Sequence, residues 1–461
     1  MGNSLGSITQ KQSKKTTQIK NSTLILISFA TAFFPRFFSS FGAPSAINFA
    51  HFCIIPFCFI VVAQTTKTCD RKRIKAVWQV LGGMSILLAC TIISALLNNA
   101  GMVNVFLQFM FQAEAFMLLA AIILIPLAGK KLENFKNWLF GFAFFNFLLA
   151  AIQSVLLPIG IYPKPKGGTI QDNITGVFGG GGGSAANYVS CTVSFYIALY
   201  FFNSTKHLPI WIRILPLLGS LYQIQVSDSK QVFLALILGY GLLLITKVKY
   251  PIKLLCYITL GIIFTLVFSW VLQNVESEFL SPYQNWTRRS IWGWDGLVVQ
   301  TKFAAFRIVL SHYETPFNFF FGLGPGHTVT RLGGWVFRDY AQLLMPLGAT
   351  VHPVSSQVFD VVRSTYLTQE STVYFPLFTW AGIWGDLGFV GLGAYLYLSS
   401  IVWRVICVDD FSKFLILSTA VFGFILTQME EPGHILSVAC LIALRWQEEQ
   451  ERRAFFNAAP L

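Results

Sequence analysis

Residues 71–97 read RKRIKAVWQVLGGMSILLACTIISALL, and the contrast between the two parts of this stretch decides the fold. Arg71, Lys72, Arg73 and Lys75 crowd its start, and no charged residue follows through Leu97. At 1.5 Å per residue, an apolar run of this length crosses a hydrocarbon core of roughly 30 Å. A helix satisfies its own backbone hydrogen bonds, as any segment in lipid must. The stretch therefore predicts a membrane-spanning helix over 77–97 with a cationic foot.

Working outward, comparable apolar runs predict spanning helices over 23–41, 45–64, 103–127, 137–159, 187–203, 209–225, 230–246 and 254–273, and then over 388–406, 413–429 and 434–445. Composition agrees, since 54% of the 461 residues are hydrophobic, 16% aromatic and only 11% charged. A soluble fold could not hide that much apolar surface. The expected fold class is an all-α polytopic membrane protein of about twelve helices, with a large extracytoplasmic loop between the ninth and tenth. Its parts are a basic arm over 1–22, a nine-helix region over 23–273, the loop region over 274–386, three C-terminal helices over 387–445 and a tail over 446–461. No internal repeat of the kind found in many secondary transporters is visible.

The net charge of +13 has a topological cause. Lys11, Lys14, Lys15 and Lys20, then Lys67 with Arg71–Lys75, then Lys130, Lys131 and Lys136, then Lys247, Lys249 and Lys253 occupy every second connection. That alternation is the positive-inside bias, and with twelve crossings it puts both termini in the cytoplasm. Nucleic-acid binding is not implied. The eight cysteines avoid the long loop, so no disulfide framework is implied either. Leu24–Phe34 after a basic arm looks like a signal peptide, but Pro35 and Arg36 interrupt it and no clean Ala-x-Ala site follows. A retained first helix is expected.

The loop holds most of the candidate chemistry. Gly322, Leu323, Gly324, Pro325, Gly326 and His327 follow an expected short helix over 302–313, and alternate glycines permit positive φ with amides left to face an anion. A plain tight turn is the competing reading. Lys230 follows Asp228 and Ser229 at the mouth of a helix, where the dipole does not favour a cation. Arg36 and Glu114 lie in or near apolar runs, and charges there usually face a polar interior. Glu370 and Asp386 flank Val373–Trp384, which is expected to lie along the membrane surface. His51, His207 and His434 read as isolated, and His312, His327 and His352 share the loop without metal-ligand spacing.

Taken in order, these features resemble the O-antigen ligase and O-antigen polymerase superfamily of bacterial polysaccharide assembly. Thr175, Gly176, Val177, Phe178 and the following glycines match its Gly-rich segment before a mid-chain helix, and Ser227, Asp228, Ser229 and Lys230 match its Ser-x-Ser-Arg-like turn. Lys302, Phe306, Pro316, Gly322, Gly324 and Gly326 match its loop pattern, and Asp386, Gly388 and Gly391 its last acidic-x-Gly-x-x-Gly helix start. Lysines stand at 230 and 302 where the family has arginine, and Gln369, Glu370 and Ser371 replace its His-Asn. A lysine neutralises phosphate but lacks the bidentate fork of arginine.

The resemblance implies an inverting glycosyltransferase of the bacterial inner membrane that needs no nucleotide or metal cofactor. Its donor would be a glycan on a polyprenyl pyrophosphate, its acceptor another glycan or a lipid-glycan, with export-complex proteins as further partners. Fixed cations must meet the departing diphosphate, and a base must take the acceptor proton. Lys230, Lys302, Arg307 and Arg36, with Arg288 or Arg289, are expected to hold the pyrophosphate. Glu370 or His327 is expected to act as base. A lipid-linked oligosaccharide flippase or other carrier, and a noncatalytic scaffold, are the competing readings.

Overall fold

The computed structural model describes residues 20–161, 169–179, 186–248, 250–275, 284 and 295–458. Among these every regular element is helical. Among the described residues six helical segments are long and apolar enough to cross a membrane: Ser45–Thr65, Arg71–Leu97, Met102–Leu124, Lys130–Leu156, Leu255–Asn274 and Thr372–Ile406. Asn21–Phe33, Ile210–Val226 and Lys230–Thr246 are apolar but shorter. The protein is a helical bundle of membrane-protein character.

The helices are numbered α1 (Asn21–Phe33), α2 (His51–Thr65), α3 (Arg71–Leu97), α4 (Met102–Leu124), α5 (Lys130–Leu156), α6 (Ala186–Ser204), α7 (Ile210–Val226), α8 (Lys230–Thr246) and α9 (Pro251–Asn274). Short helices α10 (Leu297–Lys302), α11 (Ala304–Ser311), α12 (Phe317–Phe321), α13 (Phe337–Leu344), α14 (Pro353–Ser364) and α15 (Tyr366–Glu370) follow, then α16 (Thr379–Ile401), α17 (Asp410–Ile425) and α18 (Pro432–Ala458). In α4, 89% of the most apolar window is buried, against 6% for the window in α9, so α4 is central and α9 peripheral. α2, α3 and α18 all pack on α4.

The two ends of the bundle differ chemically. At one end Asp70 caps α3 by accepting from the Lys72 amide at 2.9 Å, and Arg73 donates to the carbonyls of Ile123 and Ile125 and to Gln447. Those carbonyls belong to the last turn of α4, which leaves them without helical partners. Lys136 and Tyr200 reach Glu448, and Arg445 reaches Asp409, at this same end. The basic foot of the opening stretch is thus built into a network of charges. At the other end, the segment 297–378 folds over the mouths of the helices through Asn98, Asn104 and Gln231.

Two expectations change here. The short helix over 302–313 is broken at Phe303 into α10 and α11. Val373–Trp384, expected along the membrane surface, packs into the protein as part of the candidate span Thr372–Ile406: Leu377, Phe378, Ala381 and Ile383 are fully or almost fully buried, and α16 already starts at Thr379. The apolar run continues a span inward, and the glycine at 388 marks a kink within it.

That kink builds the floor of the loop. Gly388 has φ +64°, which interrupts α16 and frees the carbonyls of Gly385 and Asp386. They accept from the amides of Leu323 (2.8 Å) and Gly324 (3.0 Å). The Asp386 carboxylate then takes four donors, the amides of Gly326 and Thr328 and the hydroxyls of Thr328 and Thr330, at 2.6–2.7 Å. A Cβ on Gly388 would stand 2.3 Å from the Phe320 backbone. Gly388→Ala is therefore expected to lower unfolding stability in detergent by at least about 1–3 kcal/mol, read by thermal denaturation.

Candidate functional site

α1 stops at Phe34 because Pro35 cannot continue its hydrogen-bond ladder, and a one-turn helix, Pro35–Ser40, carries Arg36 off the end. α17 stops at Ile425, and the chain crosses Thr427–Glu430 before α18 begins at Pro432. The glycine loop anchored by Asp386 runs on to Arg331. These three interruptions meet at one point.

There the Glu431 carboxylate pairs with Arg36 at 2.8 Å and with the Arg331 guanidinium. The Arg331 amide donates to Glu430 at 2.8 Å, which fixes the backbone that carries the guanidinium. Glu431 is 6% exposed, Arg331 17% and Arg36 25%. Burial opposes the charge on Glu431, yet Arg331 and Arg36 hold it below the usual carboxylate range. Within the triad two cations share one anion; burial raises the adjoining Glu430 to about 8, and Asp339 on the cavity wall is paired with Arg338 at 2.9 Å.

The triad opens on a cavity of about 110 Å³ lined also by His51, Phe111, Ala186, Trp335, Tyr340 and Gln428. Tyr340 is fixed by Asn48 at 3.1 Å, and Trp335 stacks on Phe375 with ring centroids 6.3 Å apart. Gln428 is 3% exposed, and its Oε1 has no hydrogen-bond partner among the described residues. Such a group is costly unless a polar ligand reaches it. His51 Nδ1 meets Glu114 Oε2 at 2.6 Å, deep in the bundle. The arrangement can hold an anion and has a histidine–carboxylate pair on the same wall.

Among the described residues expected to hold the pyrophosphate or act as base, only Arg36 lines this cavity. Lys302 is turned behind its wall, donating to the carbonyls of Phe375 (2.8 Å) and Ile425 (2.9 Å) over the Phe378 ring. Burial lowers its ammonium to about 7, and a neutral amine has two N–H bonds for those two carbonyls. Lys302 is a strut that holds Phe375 beneath Trp335. Lys230 heads α8 and pairs with Asp228 at 2.8 Å, while Arg307 is exposed and folds back on the Gln300 carbonyl. Arg288 and Arg289 lie outside the described residues, as do residues 180–183 of the glycine run.

Neither expected base stands in the cavity. Glu370 is exposed at the end of α15. His327 is buried with both ring nitrogens engaged, Nδ1 with the Leu323 carbonyl and Nε2 with Thr350 Oγ1, each at 2.8 Å. Burial also lowers its proton affinity. Gly322, Gly324 and Gly326 give their loop amides to the protein or to a turn, and Asp386, their anchor, is fully buried. His312, His352 and His327 do gather, with centroids 5.2 and 5.7 Å apart, but among the described residues no group of three or more side chains is arranged to hold a metal ion.

Sequence reasoning passed over Arg331, Glu431 and the pairing of His51. A signal was present in Glu430 and Glu431, adjacent carboxylates in a short break between two apolar helices. Comparison with protein families, with curated proteins and with solved structures finds no match. The site geometry therefore carries the functional argument.

The Lys302 ammonium titrates at about 7 in the folded protein against 10.5 as a free side chain. Between these values the unfolded chain binds more protons, so this group adds stability as pH rises through that window. Lys302→Met should abolish that rise and cost about 1–3 kcal/mol by orphaning two carbonyls. Denaturation of both proteins across about pH 7 to 10 measures it.

Proposed function

We propose that this chain is a membrane glycosyltransferase that moves or polymerises a glycan carried on a polyprenyl diphosphate. In this reading α1 to α9, α16, α17 and α18 are twelve crossings of a bacterial inner membrane. The cation-rich end faces the cytoplasm with both termini, and the 297–378 end faces outward. The charge difference between the two ends supports that orientation. The enzyme is of the O-antigen polymerase or ligase type and inverts the anomeric carbon.

One observation carries the proposal: Arg36 and Arg331, from distant parts of the chain, converge on an open cavity at the end opposite the basic foot. A diphosphate leaving group gathers negative charge as its bond to the sugar breaks, and preorganised guanidiniums stabilise that charge before any reorganisation is needed. Arginine also grips phosphate oxygens in a fork. Phe111, Trp335 and Tyr340 offer flat apolar faces for the sugar or the first prenyl unit. Glu431 holds both arginines in place while no phosphate is bound.

The carrier alternative draws on one observation as well, the buried His51–Glu114 pair, because ionisable pairs inside a bundle also serve proton coupling. Loss of a transferase would leave lipid-linked units on the outer leaflet, and loss of a carrier would leave them on the inner. Arg331→Ala should cut transfer from polyprenyl-diphosphate glycan by about 10²–10³-fold, with Arg331→Lys intermediate. Product analysis of purified protein, with elution profile as the fold control, tests this. Transfer by Arg331→Ala at the wild-type rate would remove the cavity from the mechanism.

A further inference from the structure

Transfer to a hydroxyl needs a group to receive its proton, and the two carboxylates closest to the arginines are already committed. Glu431 is tied to Arg36 and Arg331, and Glu430 accepts the Arg331 amide. His51 differs. It is 3% exposed and lines the cavity, its Nδ1 meets Glu114 Oε2 at 2.6 Å, and its Nε2 makes no hydrogen bond among the described residues. A carboxylate that accepts from Nδ1–H fixes the ring and the tautomer, leaving the Nε2 lone pair as the basic position. Phe52, the next residue on α2, packs edge-on to the imidazole with centroids 4.1 Å apart and restricts it further.

Resting on the diphosphate-glycan reading above, we propose that His51 is the general base of the transfer and Glu114 its positioning residue. The acceptor hydroxyl gives its proton to His51 Nε2 as its oxygen forms the bond to the anomeric carbon. The bond from that carbon to the diphosphate oxygen breaks, and its electron pair leaves on the diphosphate, held by Arg36 and Arg331. Glu114 balances the imidazolium that results. The proton then passes to the outgoing diphosphate or to solvent, and the dyad is restored.

The charged and titratable groups facing His51 are Glu114 on α4, Glu431 just before α18, Arg331 from the glycine loop, and across the cavity Arg36, Asp339 and Tyr340. Among the described charged groups, Glu114 is the one hydrogen-bonded to the ring. Removing the Glu114 charge while keeping its size should therefore move the acid limb of the rate profile to lower pH. An exposed base such as Glu370 would not respond.

The test uses full-length protein in lipid nanodiscs with a synthetic polyprenyl-diphosphate disaccharide as both donor and acceptor. Binding and product formation are measured between about pH 5 and 9. His51→Gln should retain donor binding and lose transfer by about 10²–10⁴-fold, with the acid limb gone. Glu114→Gln should lose less and show the limb displaced to lower pH. Should His51→Gln fail to fold, Glu114→Gln and the wild-type profile decide, because a wild-type rate with no acid limb, or a limb unmoved in Glu114→Gln, overturns the assignment. Near-wild-type transfer by His51→Gln overturns it alone and leaves the diphosphate reading standing. Absence of both donor binding and transfer in the wild type overturns that reading and this one together.

Discussion

Everything around the cavity is organised by the need to pair charge inside an apolar bundle. Arg36 and Arg331 could not stand where they do without Glu431, since an unpaired buried charge costs several kcal/mol even after relaxation. Each of the three residues sits where its helix or loop is interrupted, and the interruption is what brings it in. Pro35 ends α1, the turn at Thr427–Glu430 separates α17 from α18, and the glycine loop delivers Arg331. The ion triad and the breaks in the helices are one feature seen from two sides.

Behind the triad stands a layer of buried and half-buried polar anchoring. Asp386, fully buried, spends its carboxylate on four donors of the glycine loop. Lys302 ties the Phe375 carbonyl to that of Ile425, and Phe375 supports Trp335. These residues shape the cavity without lining it. Arg36, Arg331, His51 and Gln428 are among the polar side chains that line the open space, together with Glu431, Asp339 and Tyr340, which is the pattern of a site built for a polar ligand.

What sequence made legible follows the range of the interaction concerned. The cationic foot and apolar body of Arg71–Leu97 are contiguous, so a helix and the end bearing its charge could both be read directly. Arg36 was readable because a charge beside Pro35 breaks an apolar run. Lys302 misled, because a cation in a polar loop gives no sign that two carbonyls remote in sequence will claim it. Val373–Trp384 misled for a related reason: an apolar segment before a glycine looks like a surface cap until its neighbours bury it. His51 looked alone, since Glu114 stands on another helix.

The sequence by itself determined the helical, apolar character of the bundle and the charge difference between its ends, both of which depend on residues within a turn or two of one another and on the medium. Only the tertiary structure decided which charges meet. Arg36, Arg331 and Glu431, like His51 and Glu114, become partners through helix packing, and pairing energies between residues so distant along the chain leave no periodicity to read. The reason is physical: a helix is fixed by local hydrogen bonds and burial, whereas a site is fixed by the places where buried charges have no alternative partner.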